Sequence, residues 1–259
     1  MRRHHAIAAL TLLSAGCNQG SNPAELAATI EDADVRRVYT AMIESMGGFD
    51  GWEDARYFEF TFNVERDGQR GTGWTHHWDR WTGDHRLSGT REGEDIVVIM
   101  NVNERDAGGS AWAAGQPVDG ARLDSLLTFA YGRWVNDSYW LIMPYKWTDA
   151  GVHTTYQGTQ TDSAGRSWEM VHLAFDNVGL TPQNEYDAWI NPETGLMERW
   201  SHYPTGDAEP GIFDWTDWQQ FGTIRLATRK PSLGGPFAIV FENVRVEASV
   251  PDGAFSPPG

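Results

Sequence analysis

The chain has one cysteine, Cys17, among its 259 residues. Everything beyond it therefore lacks a disulfide to staple the fold and a thiolate to serve as nucleophile or metal ligand. Basic residues are also scarce, with 20 Lys and Arg against 36 Asp and Glu and a formal net charge of −16. So acidic a surface repels phosphate backbones and anionic headgroups. That argues against nucleic acid as a partner and against purely electrostatic attachment to a membrane. Familiar chemical signatures are missing too: no helical His-Glu-x-x-His, no Gly-x-Ser-x-Gly elbow, no glycine-rich phosphate loop. Neither a sequence repeat nor a low-complexity block is visible.

What is present begins with the layout of an export signal. Arg2, Arg3, His4 and His5 make a positive tip, Ala6 to Ala15 an apolar run of about ten residues, and Gly16 and Cys17 follow. The run falls short of the roughly 20 residues a helix needs to span a bilayer. The block Leu12-Leu13-Ser14-Ala15-Gly16-Cys17 resembles the lipobox of bacterial lipoproteins. Small residues there let a peptidase grip extended backbone, and the thiol is the group that is alkylated. Ser14 departs from the pattern, since Leu is commoner at that place and Leu13 stands one position early. The resemblance implies cleavage before Cys17, lipidation of Cys17 and a place in the cell envelope. Asn18, in place of an Asp, implies the outer membrane, facing the periplasm. The alternative is an ordinary secretory signal followed by a chance cysteine. Removing residues 1–16 takes away Arg2 and Arg3, leaving 18 basic against 36 acidic side chains and a net charge of −18. Location would then rest on the lipid, and two or more acyl chains anchor stably where one does not.

The expected organisation is a signal peptide over 1–16, a lipidated N-terminus and linker over 17–32, and one domain over 33–259. Ala33 to Met46 reads as a helix, because Val35, Val38, Tyr39, Met42, Ile43 and Met46 fall on one face. Gly47 and Gly48 end it. Period-two alternation then takes over. Phe58, Phe60, Phe62 and Val64 share one face of a strand; Trp74, His76 and Trp78 share one face of the next. Turns at Asp67-Gly68, Thr82-Gly83-Asp84 and Glu92-Gly93 join a meander. The stretch 106–120 reads as a loop, and Ala121 to Val135 as a second helix with Leu123, Leu126, Leu127, Ala130 and Trp134 on one face. Further strands are expected near 139–143, 151–157, 167–175, 186–190, 197–203, 221–229 and 237–246. About ten or eleven strands with two helices predict a mainly β fold: a large curved antiparallel sheet, an incomplete barrel, whose concave face the helices cover.

Several blocks carry a likeness to a known superfamily. They are the helix ending at Gly47-Gly48 before Trp52, the hairpin from Tyr186 to Leu196 through Asn191-Pro192-Glu193-Thr194-Gly195, and the ending Phe241 to Val244 and Val250 to Phe255. In these the chain resembles the LolA/LolB-like half-barrels, the outer-membrane lipoprotein-sorting fold. Trp78 to Asp84, Tyr139 to Lys146 and Phe175 to Pro182 resemble, more narrowly, an uncharacterised bacterial lipoprotein family of the same form. The superfamily likeness implies an apolar cavity that takes acyl chains beneath helices; the narrower family carries no activity.

The 13 tryptophans either fill a β core or line a groove for an apolar ligand. On the second reading Phe58, Phe60, Phe62, Trp74, Trp78 and Trp140 are the ligand-binding residues. The eight histidines raise a metal hypothesis. On a strand His76 and His77 face opposite ways, so the candidate set is His77 and Asp79 with His85 across the turn. His153, His172 and His202 lie on later strands. The expectation is no metal and no cofactor, with these histidines on sheet surfaces or in the core. Carboxylate pairs such as Glu94/Asp95 and Asp214/Asp217 are expected by chance in so acidic a chain. Residues 207–217, with Trp215 and Trp218 interleaved, read as a loop with those aromatics tucked beneath, or as a sugar-stacking site. Asp79, Arg80 and Asp84 either hold a hairpin together or form a polar rim for a headgroup. The function expected is non-enzymatic: a membrane-anchored envelope protein that holds or passes on a lipid or other hydrophobic small molecule. The alternatives are an interaction module with a filled core, serving an envelope protein partner, and, after that, a metal-dependent or carbohydrate-active enzyme.

Overall fold

The computed structural model describes residues 23–176, 180–181, 183–204 and 209–259. Cys17 and the lipobox lie outside the described residues, as do Asn177, Val178, Gly179 and Pro182 of one family-like block. A short helix α1 (Pro23–Ala28) tucks Ala27 into the core. Asp32 then caps α2 (Ala33–Ser45), its carboxylate accepting from the N–H groups of Asp34 and Val35 at 2.9 and 3.2 Å. The predicted face of α2 is the buried one. At Gly47, with φ at +121°, a side chain would collide with the Thr223 carbonyl, so the chain turns there into α3 (Gly48–Asp54).

The meander follows: β1 (Tyr57–Arg66), β2 (Gln69–Arg70), β3 (Trp74–Asp79), β4 (Asp84–Arg91), β5 (Glu94–Asn101), β6 (Gly109–Ala113) and β7 (Gln116–Val118). Helix α4 (Gly120–Ile142) interrupts it. Next come β8 (Val152–Thr161), β9 (Ser167–Phe175), β10 (Glu185–Ile190), β11 (Met197–Tyr203) and β12 (Gly211–Asp214). The chain finishes with β13 (Thr216–Phe221), β14 (Ile224–Pro231) and β15 (Phe237–Glu247). The fold is mainly β, as alternation predicts, with large antiparallel sheets that do not close into a barrel. One sheet runs β13-β14-β15-β1-β3-β4-β5-β6-β7, with β2 against β1, and the other runs β12-β11-β10-β9-β8. Four α-helices rather than two stand among the described residues. None of them is long and apolar enough to cross a membrane.

Three local expectations are corrected. Residues 109–118 form a hairpin, not a loop, turning through Ala114 and Gly115, both at positive φ. Its alanines and glycine carry no strand signal because α4 lies close: a Cβ on Gly109 would sit 2.7 Å from Leu127 Cδ2. Residues 139–143 continue α4 into a 3₁₀ turn (Met143–Lys146) and are not a strand. Leu141, Ile142 and Met143 are all buried, and a short all-apolar run does not distinguish a buried strand from a buried helix end. Within the expected loop of 207–217, residues 211–214 form β12 and 216–217 begin β13.

Candidate functional site

Cross-strand pairing sets the inner face of the ten-stranded sheet. Phe58 lies opposite Trp78, Phe60 opposite His76 and Phe62 opposite Trp74. The next strand adds His85 opposite Trp78 and Leu87 opposite His76. Five of the six expected ligand residues are thus brought onto one surface. Helix α4 lies over them, with Phe129 edge-on to Trp74 at 5.0 Å and Trp134 edge-on to Trp78 at 5.5 Å between ring centroids. Trp140, the sixth, is at the far end of α4 and packs against Trp200 (4.5 Å) and Phe213 (5.0 Å) of the other sheet. Phe58, Phe60, Phe62 and Trp78 are at most 5% exposed, and all six belong to or pack on one core cluster. In this state side chains fill the concave face beneath the helix.

That apolar interior holds a polar chain. His76 and His85 are fully buried, and their rings meet through Nδ1 of His76 and Nε2 of His85 at 3.0 Å. On its other side, His76 Nε2 is 2.9 Å from Asp137 of α4, and Asp137 also takes Arg133, one helical turn earlier, at 2.7 Å. We assign the proton of His76 to Nε2, which donates to Asp137; Nδ1 then accepts from His85 Nε2–H. His85 Nδ1 is left without a partner. Burial depresses both imidazoles, and the neighbouring His76 and His77 add to the effect at His85, which is held well below its ordinary value. Around this chain the N–H groups of Trp78 Nε1, Trp134 Nε1 and Arg133 Nε also lack partners. Buried donors without acceptors are costly to leave unmade.

The expected set of His77, Asp79 and His85 does not assemble. His85 shares the face of His76, because it pairs with Trp78 rather than with His77. His77 points to the other side and meets the Tyr57 hydroxyl through Nδ1 at 2.7 Å. Asp79 is bound by Arg56 at 2.7 Å and accepts from the Trp81 N–H at 2.9 Å. It holds a hairpin, through Arg56 and not Arg80. Arg80 instead donates to the carbonyls of Ala55 and Trp52, and its guanidinium lies over the Trp52 ring. Asp84 accepts from Thr82 Oγ1 and Asn101 Nδ2. His153, His172 and His202 pair separately with Asp176, Asp187 and Asn184. Among the described residues no three His, Cys, Asp or Glu side chains converge on a point an ion could occupy. Glu94 is engaged by Arg122, and Asp214 by Arg199. The His76–His85–Asp137 chain was missed by spacing, since its members are 9 and 61 residues apart. The alternation of His76 with Trp74 and Trp78 was the available signal that it faces inward.

Cavities open elsewhere among the described residues. One, of about 310 Å³, lies at the end of the ten-stranded sheet, beside Arg66, Ser232 and Phe237. Another, of about 300 Å³, is a polar hollow on the five-stranded sheet between Gln157, His172, Asp187 and Tyr203.

No family model matches the sequence, and no curated protein does. Solved structures are similar to it in chain course. A DUF1329 family protein from Desulfovibrio piger is 13% identical, covers 87% of this chain and 98% of its own, and has a TM-score of 0.48. A LolA superfamily protein from Nitrosomonas europaea is 11% identical over 80% of this chain and 96% of its own, with a TM-score of 0.45. A domain named for outer membrane lipoprotein sorting, from Vibrio parahaemolyticus, is 7% identical over 85% and 95%, also at 0.45.

Proposed function

We propose that this protein is a non-enzymatic, lipid-anchored half-barrel of the cell envelope that holds an apolar, lipid-like molecule beneath α4. Phe58, Phe60, Phe62, Trp74 and Trp78 would line the site, with Trp140 at its far end. The observation that carries this reading is the cover itself. A sheet face lined with large aromatics is closed by α4 over Trp74 and Trp78 and by Trp52 of α3 at Phe58, and the seam contains unpartnered donors and an ion pair on the buried Asp137 carboxylate where a finished core would be apolar. Such a seam opens at lower cost than a continuous apolar one, and an opened seam presents a concave aromatic surface. Lipid on Cys17 would supply location, because the acidic domain has no electrostatic affinity for an anionic bilayer.

The filled concave face favours a second reading, an interaction module whose core is complete and whose surface serves an envelope partner. Titration of delipidated protein with a fluorescent fatty-acid probe separates the two. Saturable uptake, with tryptophan emission quenched in step, is the expected result. Protein that carries no lipid through purification and takes up no probe sinks the binding reading, and a stoichiometric partner recovered by pull-down would then establish the module.

A further inference from the structure

Lys230 is a fully buried lysine on the inner face of the ten-stranded sheet, opposite Ile239. Its ammonium donates to the carbonyl of Ala227 on its own strand, and its Nζ lies 4.5 Å from the Trp215 ring centre and 4.2 Å from that of Phe241. Among the described residues no carboxylate pairs with it. Two faces of aromatic rings and one carbonyl are weak compensation for a buried charge. Burial accordingly pulls its pKa well below the usual lysine value. The rings around it have the same defect. The Nε1–H of Trp215 is buried without an acceptor, as are those of Trp200 and Trp218, whose rings lie 5.7 and 6.4 Å from Trp215. Among the described residues, no acid receives the hydrogen-bond donors of this corner of the interior.

Aromatic side chains extend from its surroundings in two directions. Phe241 leads inward, meeting Phe60 at 5.8 Å and Phe62 at 5.5 Å, the start of the aromatic surface under α4. Phe237 leads outward. It stands two residues before Ile239 on the same face of β15, about 7 Å along the strand, and it lines the 310 Å³ cavity at the sheet end.

We infer that Lys230, with the Trp215 indole beside it, receives the carboxylate of a long-chain fatty acid whose tail runs along Phe241, Phe62 and Phe60 beneath α4. A single buried cation matches a single anionic head. A carboxylate supplies acceptors for both Nζ and an indole N–H, and its charge removes the cost of the buried ammonium. A neutral alcohol or ester head would leave that charge uncompensated. This inference rests on the proposed function and narrows it from an apolar ligand to an acyl carboxylate.

The test measures binding of palmitate, hexadecanol and hexadecyl phosphate to the delipidated full chain by calorimetry. Palmitate is expected to bind about ten-fold or more tightly than hexadecanol, and Lys230→Met to bring the two affinities together. A variant-free readout runs in parallel. The carboxyl carbon signal of ¹³C-labelled palmitate in the wild-type complex should stay that of the ionised form to a pH well below its transition in lipid vesicles. Binding of neither palmitate nor hexadecanol refutes the function reading itself. Equal binding of both, or a bound carboxyl that titrates as it does in vesicles, overturns the Lys230 assignment and leaves the function reading standing. Tighter binding of hexadecyl phosphate than of palmitate overturns the choice of carboxylate.

Discussion

At the scale of single residues, the buried bases make the protein's stability a function of pH. Lys230 keeps its proton in the unfolded chain up to the ordinary lysine value of about 10.5, whereas burial depresses that value in the fold. The unfolded state therefore binds more protons in the window between the two values, so stability rises with pH across it. Lys230→Met removes this slope, and at pH 7 it is expected to raise stability by roughly 1–3 kcal/mol. Urea unfolding of both proteins from neutral to alkaline pH checks it; a less stable Met variant contradicts it. His85 works the same way at lower pH. Its folded value lies well below 6.5, so its contribution is complete above pH 6.5 and is lost as the pH falls below that. The groups facing it are His76 and, behind that ring, Asp137 and Arg133. His85→Leu should lose less stability between neutral and mildly acid pH than the wild type does. Parallel acid profiles would mean that the pair takes up no proton on unfolding.

Elements differ in how openly the sequence declares them. β1 and β3 were legible because Phe58, Phe60, Phe62, Trp74 and Trp78 alternate with polar residues and one face of the sheet is core. The capped helix α2 was legible for the same reason at a period of 3.6. The β6–β7 hairpin was not, because its residues are chosen for what α4 leaves room for and not for strand propensity. This gives a prediction at Gly109, where any Cβ sits 2.7 Å from Leu127 Cδ2 and 2.5 Å from the Ile99 carbonyl oxygen. Gly109→Val should cost roughly 1–3 kcal/mol, read as a fall in the denaturation midpoint without a change of slope. A neutral substitution would show that α4 rests loosely on β6. The end of α4 was also hidden: Tyr139 to Met143 is apolar throughout, so periodicity has nothing to count. The expected ligand aromatics were legible as a face, whereas the histidine chain and Lys230 depend on contacts between distant strands and were not.

At the scale of the whole molecule, an acidic two-sheet body with α4 as its main cover is joined to a proposed lipid anchor. If the lipid on Cys17 supplies location, Cys17→Ala should shift the exported protein from the membrane to the soluble envelope fraction. Retention of the variant on membranes would mean that the body itself binds there. Ligand binding in the seam between α4 and the ten-stranded sheet is read out by a photoreactive palmitate with a diazirine at the tail end. After illumination with delipidated protein, peptide mass spectrometry should place the cross-links on residues 58–62, 74–78 or the underside of α4. Cross-links confined to the outer surface of the sheets, or none at all, would contradict the account.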